Sequence, residues 1–120
     1  MLKSPVNTLK RGDIFIANLD PSFGREIHKK RPVLIVSDND LNKTLPTVVI
    51  IPFSSIVPLY KGPEIVSFKS KGLAKQSILV VSQIRGIDKV RITKKIGKLP
   101  KIKLLELERS LKLVLGLNAN

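Results

Sequence analysis

The chain carries two short apolar runs, PVLIVS at 32–37 and TVVIIPF at 47–53, rich in β-branched residues. Neither alternates with polar residues, and both are shorter than the ~10–12 residues of an ordinary helix. Such runs read as continuous, buried strands. Pro32 stands first in its run, where a missing N–H is tolerated. Residues 13–19 (DIFIANL) follow a turn at Gly12 and read as a third strand. Residues 64–68 and 76–81 read as two more, joined by the turn-prone Lys71-Gly72. Residues 20–31, with Pro21 and Gly24, read as a loop, and 38–46 as a second polar connection with room for one helical turn. Residues 88–93 suit a helical turn or bend, and 94–98 a short strand.

After Pro100 the pattern changes. Leu104, Leu107, Leu111, Val114 and Leu115 recur mostly in steps of three and four, as on a helix. Pro100 suits the first turn and Gly116 the residue past the end. About 16 residues at ~1.5 Å each give a helix roughly 24 Å long. Ile102, Leu105 and Leu113 widen the apolar stripe, so the helix is expected to bury more than one side, against the sheet and a second subunit. Short strands followed by one helix give a mostly β fold with minor α, a barrel with a C-terminal helix packed on it. The 120 residues fit one domain, 1–120, with no repeat and no linker.

Charge narrows the partner. Twenty-two Lys and Arg against nine Asp and Glu give a formal charge of +13, more than solubility asks for. A polyanion is the expected ligand: nucleic acid first, an acidic protein second, an anionic membrane surface third. Residues 1–10 hold no apolar stretch of a secretory signal. No run approaches the ~20 residues of a membrane helix. A soluble, cytoplasmic protein without membrane contact is expected. There is no cysteine and one histidine, so disulfides and thiolate metal sites are excluded, and neither a metal nor any other cofactor is expected. Asp38 with Asp40, and Glu106 with Glu108, lack a third acidic or histidine partner nearby in sequence. No phosphate-binding P-loop or dinucleotide fingerprint is present. A serine triad would need His28, which lies in a basic stretch, and paired-histidine RNase chemistry is impossible within one chain.

That stretch, residues 25–31, holds Arg25, Glu26, His28, Lys29, Lys30 and Arg31, with a net charge of +3. It lies between two strands, where binding residues commonly sit. Arginine offers a rigid fork of donors for phosphate, and lysine a point charge. A solvated charge run explains the composition equally well.

The ordered set of short motifs adds more. Lys10-Arg11-Gly12-Asp13-Ile14, Leu19-Asp20-Pro21 and Gly24-Arg25-Glu26 resemble the opening of MazF/PemK-type toxins. Lys30-Arg31-Pro32 with the strand after it, Leu41-Asn42, Leu45-Pro46-Thr47-Val48 and Ile51-Pro52-Phe53-Ser54-Ser55 continue the likeness. Gln83-Ile84-Arg85-Gly86-Ile87-Asp88-Lys89 resembles a later block, and the resemblance runs from about Lys10 to Leu117. It implies an SH3-like barrel with a C-terminal helix, forming a homodimer. It implies a metal-independent, sequence-selective endoribonuclease that cuts single-stranded mRNA to 2′,3′-cyclic phosphate and 5′-hydroxyl ends. It also implies a MazE-like antitoxin whose acidic tail covers the RNA groove and which mediates contact with DNA.

Carried over residue by residue, Arg31 falls on a catalytic arginine of several members and Ser54 on a position that is often a catalytic threonine. Glu26 matches a glutamate near the cut bond, and Arg25 a position filled elsewhere by His or Ser. One branch uses an Arg and an Asp where Val80 and Ser82 stand here, so this chain must rely on the Arg31–Ser54 type. Arg25, His28, Lys29, Lys30, Gln83 and Arg85 are the expected RNA-binding residues. RNA supplies its own nucleophile, the 2′-hydroxyl. Arg31 is expected to stabilise the phosphate charge, Ser54 to add a hydrogen bond, and Glu26 or His28 to handle a proton. Two other readings compete: a gyrase-poisoning toxin on the same barrel, and a module that only binds RNA or an acidic protein. Four Phe and one Tyr leave little base stacking for the second.

Overall fold

Alternate residues of the two apolar runs enter two different cores, which is why neither run alternates with polar residues. In a computed structural model, which describes residues 9–21, 23–69, 73 and 76–117, the strands are β1 (Asp13–Asn18), β2 (Lys30–Ile35), β3 (Thr47–Ser54), β4 (Ile65–Phe68), β5 (Ser77–Val80), β6 (Arg85–Asp88) and β7 (Ile92–Lys98). Helix α1 (Asn39–Thr44) lies between β2 and β3, and α2 (Lys101–Val114) follows β7. The strand order is β4-β5-β3-β2-β1-β7, with β6 also paired to β3 and every pairing antiparallel.

Leu34, Ile51, Phe53, Leu79 and Ile14 point to the face covered by α2 and meet Leu107 of that helix. Val33, Ile35, Val48, Ile50, Phe15 and Ala17 point to the other face and meet Ile87, Ile92 and Ile27. The two-residue period of a strand produces this split.

The sheet curls without closing. Irregularities in the β1–β7 register between Ile14 and Phe15, and between Ile16 and Ala17, add twist. β3 pairs with β6 over Thr47–Ile50 and with β5 at Phe53 and Ser54, so it joins the two halves of the curl. Pro52, which lacks an N–H, stands at the change of partner. The result is barrel-like with a C-terminal helix, as expected.

Leu104, Leu107, Leu111 and Val114 turn to the sheet. Ser110 donates to the Pro63 carbonyl, and Arg11 pairs with Glu108 at 3.0 Å. Gly116 has φ +67, and N–H groups of Gly116 and Leu117 bond to the carbonyls of Leu113 and Lys112. That is a left-handed cap closing the helix where the sequence puts its only suitable glycine. No helix among the described residues is long and apolar enough to cross a membrane.

Three readings change. Pro100 is the residue before α2 rather than in its first turn, because its ψ of 151° is extended. Residues 85–88 form a strand: β6 pairs along β3, a long-range contact that the local pattern does not encode. The helical turn follows at Lys89–Arg91, with Asp88 accepting from the Val90 N–H. β7 starts at Ile92, two residues before the expected start, because Ile92 fills the second core. Ile102, Leu105 and Leu113 stay exposed in the single chain, each above 50%. The expected Lys71-Gly72 turn lies outside the described residues.

Candidate active site

The antiparallel register brings Arg31 and Ser54 together. β2 and β3 pair Ile35 with Ile50, Leu34 with Ile51 and Val33 with Pro52. Continued by two residues, the same register sets Arg31 of β2 opposite Ser54, the last residue of β3. Facing side chains of an antiparallel pair have Cβ atoms about 4.5–5.5 Å apart. By strand parity both residues belong to the face of the second core, at its mouth, where the apolar filling ends. Both line a cleft of about 310 Å³ together with Arg25, Glu26 and His28.

Each of the two groups is oriented by one bond and keeps a free donor. Arg31 Nε donates to the His28 carbonyl at 3.1 Å, and the fork of terminal nitrogens has no protein partner among the described residues. Ser54 Oγ accepts the Ile56 N–H at 3.1 Å, which leaves the hydroxyl proton to donate. Neither group is sealed: both are partly exposed.

The loop between β1 and β2 forms the other wall and is clamped along its length. Leu19 N–H bonds to the Lys29 carbonyl at 2.9 Å, and Lys29 N–H bonds to Asp20 Oδ1 at 2.9 Å. These two bonds hold Lys29 at φ 68, a left-handed conformation that costs a non-glycine residue about 1–2 kcal/mol. Arg91 donates to the carbonyls of Asn18 and Asp20. From the segment after β5, Gln83 accepts the Ile27 N–H at 2.7 Å and donates to the Arg25 carbonyl at 3.3 Å. Arg85 Nη2 donates to the Ile27 carbonyl at 2.7 Å. Glu26 closes a turn on itself: its Oε1 accepts the Phe23 N–H at 2.7 Å, and its own N–H bonds to the Phe23 carbonyl.

The expected residues therefore separate by position. Arg25, Glu26, His28, Arg31 and Ser54 share the cleft, and Arg25, Glu26, Gln83 and Arg85 share an adjoining one of about 390 Å³. Gln83 has both ends of its amide engaged on loop backbone, so its principal work is holding the loop. Lys29 and Lys30 line neither cleft, and Lys30, next to Arg31 in β2, turns to the opposite side of the strand. His28 Nδ1 lies 3.5 Å from Asp20 Oδ1, with both side chains about half exposed. Asp20 and Arg91 were not singled out from sequence, although each anchors the loop. Asp20 precedes Pro21, a turn signal that marks it in retrospect; Arg91 acts across the fold and carries no local mark. Among the described residues no group of three His, Cys, Asp or Glu is arranged to hold a metal.

A profile of the PemK-like, MazF-like toxins of type II toxin–antitoxin systems matches residues 10–115. The chain belongs to this family. This MazF-type chain is 35% identical over 112 residues to the endoribonuclease MazF of Staphylococcus epidermidis, covering 92% of the chain and 93% of that protein. Its fold is that of MazF from Deinococcus radiodurans, with a TM-score of 0.79, 23% identity and coverage of 91% of this chain and 97% of that one. A mycobacterial endoribonuclease solved with its cognate antitoxin shares the fold at a TM-score of 0.77 and 19% identity, covering 93% of this chain and 99% of that one.

Proposed function

We propose that this toxin-family chain is an endoribonuclease that cuts single-stranded mRNA through the RNA's own 2′-hydroxyl. The observation that carries the reading is that Arg31 and Ser54 line one basic cleft. The 2′-oxygen bonds to the adjacent phosphorus, and the phosphorus–O5′ bond breaks. The products are a 2′,3′-cyclic phosphate and a 5′-hydroxyl. Negative charge grows on the nonbridging oxygens, and the free fork of Arg31 stabilises it. Ser54 adds a neutral hydrogen bond. Arginine keeps its charge under working conditions, so Arg31 stabilises charge rather than supplying the proton.

The 2′-proton goes to Glu26 through the carboxylate oxygen that the Phe23 N–H leaves open. The leaving 5′-oxygen takes a proton from His28 or water. No metal enters this scheme. The staphylococcal endoribonuclease supports the activity, and the mycobacterial complex supports an antitoxin as partner. An acidic antitoxin fits the charge of +13. The exposed Ile102, Leu105 and Leu113 of α2 support a homodimer.

The test is incubation of the purified chain with a long transcript in EDTA, followed by sequencing of the new 5′ ends. Cuts at a recurrent motif with 5′-hydroxyl ends are expected. Cutting that persists when the 2′-OH at the cut site is replaced by hydrogen would refute the cyclic-phosphate route. An intact transcript combined with gyrase inhibition would favour the other toxin chemistry on this fold.

A further inference from the structure

The facing pair accounts for the phosphodiester but not for the groove beyond it. On the far side of Glu26 the cleft continues into a space of about 440 Å³ between the loop and β6. Glu26 lines all three adjoining spaces, so they form one groove leading from Ser54 to Arg91.

Three features of its far end are unexplained by catalysis. Phe23 is 82% exposed on the groove wall, where an aromatic ring gains nothing from the core. Its backbone is fixed by both bonds to Glu26, so the ring is carried on an ordered turn. Opposite it, β6 is paired, among the described residues, only on the side of β3. Gly86 of β6 faces Val49, whose N–H bonds to Ser37 Oγ and whose carbonyl accepts from Val36, on the β2 side. Gly86 and Val49 are therefore a pair without mutual hydrogen bonds, and the N–H and carbonyl of Gly86 point to the outer edge. Gly86 itself lines the space and brings no side chain to fill it.

We propose that this end of the groove is a nucleobase subsite: one base of the RNA beside the cut phosphodiester stacks on Phe23 and is read by the backbone of Gly86. The inference rests on the cleavage reading above. An aromatic face accepts any base, and a fixed donor and acceptor select among them by the pattern on the base edge. Arg85 lines the same space while holding the Ile27 carbonyl, so the clamp of the loop and the wall of the subsite are one residue. This subsite would set part of the cut motif.

The test is cleavage of a transcript pool with a randomised stretch by the full chain and by Phe23→Ala, Phe23→Leu and Phe23→Tyr. The 5′ ends are sequenced, and KM is measured on the preferred site. Phe23→Ala and Phe23→Leu should raise KM roughly ten- to hundredfold, the range of one lost base stack, and flatten the preference at one position beside the cut. Phe23→Tyr should retain both. A wild-type KM and motif in Phe23→Ala would overturn the subsite, as would full retention by Phe23→Leu, which packs but does not stack. The ring is exposed, so none of these changes threatens folding. A wild-type chain that leaves the pool intact would remove the cleavage reading, and the subsite with it. A wild-type chain that cuts, with motif and KM unmoved in Phe23→Ala, would remove the subsite alone.

Discussion

Arg31 and Ser54 are 23 positions apart in sequence, and only a strand register makes them neighbours. The two make different contributions. Arg31→Ala should fold normally and lose about 10²–10³-fold in cleavage rate, the usual loss when one preorganised donor to a developing oxyanion is removed. Single-turnover rates beside a thermal melt check this, and an unfolded variant or one at full rate would contradict it. Ser54→Thr should keep the activity: it preserves the hydroxyl and narrows χ1. Ser54→Ala should lose activity in the same assay. Equal rates for Ser54→Ala and the wild type would reduce Ser54 to a turn residue that only holds the Ile56 N–H. Glu26 serves two ends, since one carboxylate oxygen closes a turn while the residue lines the cleft.

At the scale of elements, the loop between β1 and β2 is a wall of the cleft held from outside itself. Gln83→Ala removes two bonds to it, each worth about 0.5–1.5 kcal/mol net. Cleavage should fall while the melting temperature drops only modestly; a melt that collapses, or a rate that does not move, would rule out this positioning role. The helix is a separate unit of stability. Leu107 is fully buried between α2 and the sheet, so Leu107→Ala should cost about 2–5 kcal/mol in denaturant unfolding. The buried strands β1, β2 and β3 were legible in sequence because apolar runs and turn residues are local signals. So was α2, from its spacing and from Gly116. β6 was not, since Arg85-Gly86-Ile87-Asp88 has no distinctive pattern and becomes a strand only by pairing with Val48 and its neighbours. The same limit applies to the site. Arg25, Glu26, His28, Arg31 and Ser54 were legible as residue types in family order, whereas the clamps from Gln83, Arg85 and Arg91 depend on folding. Lys29 and Lys30 illustrate the converse: a charge run looks uniform in sequence, but strand alternation and a left-handed turn divide it.

For the whole molecule, a formal charge of +13 is spread over a barrel-like sheet with a groove that is basic beside Arg31 and Ser54. Each phosphate contact on single-stranded RNA contributes about −0.7 to the slope of log affinity against log salt. Arg25→Ala should reduce the magnitude of that slope by about this amount, as measured by titration with a noncleavable 2′-deoxy oligonucleotide at several salt concentrations. An unchanged slope would remove Arg25 from the phosphate track. The central claim is that Arg31 and Ser54 act on one phosphodiester at one moment, and the most direct measurement is a double-mutant cycle on single-turnover cleavage. Groups sharing a transition state are coupled, so the Arg31→Ala, Ser54→Ala double variant should be only slightly slower than the worse single variant. Losses that simply multiply would mean that the two residues act independently, and the account of a shared phosphate would be wrong.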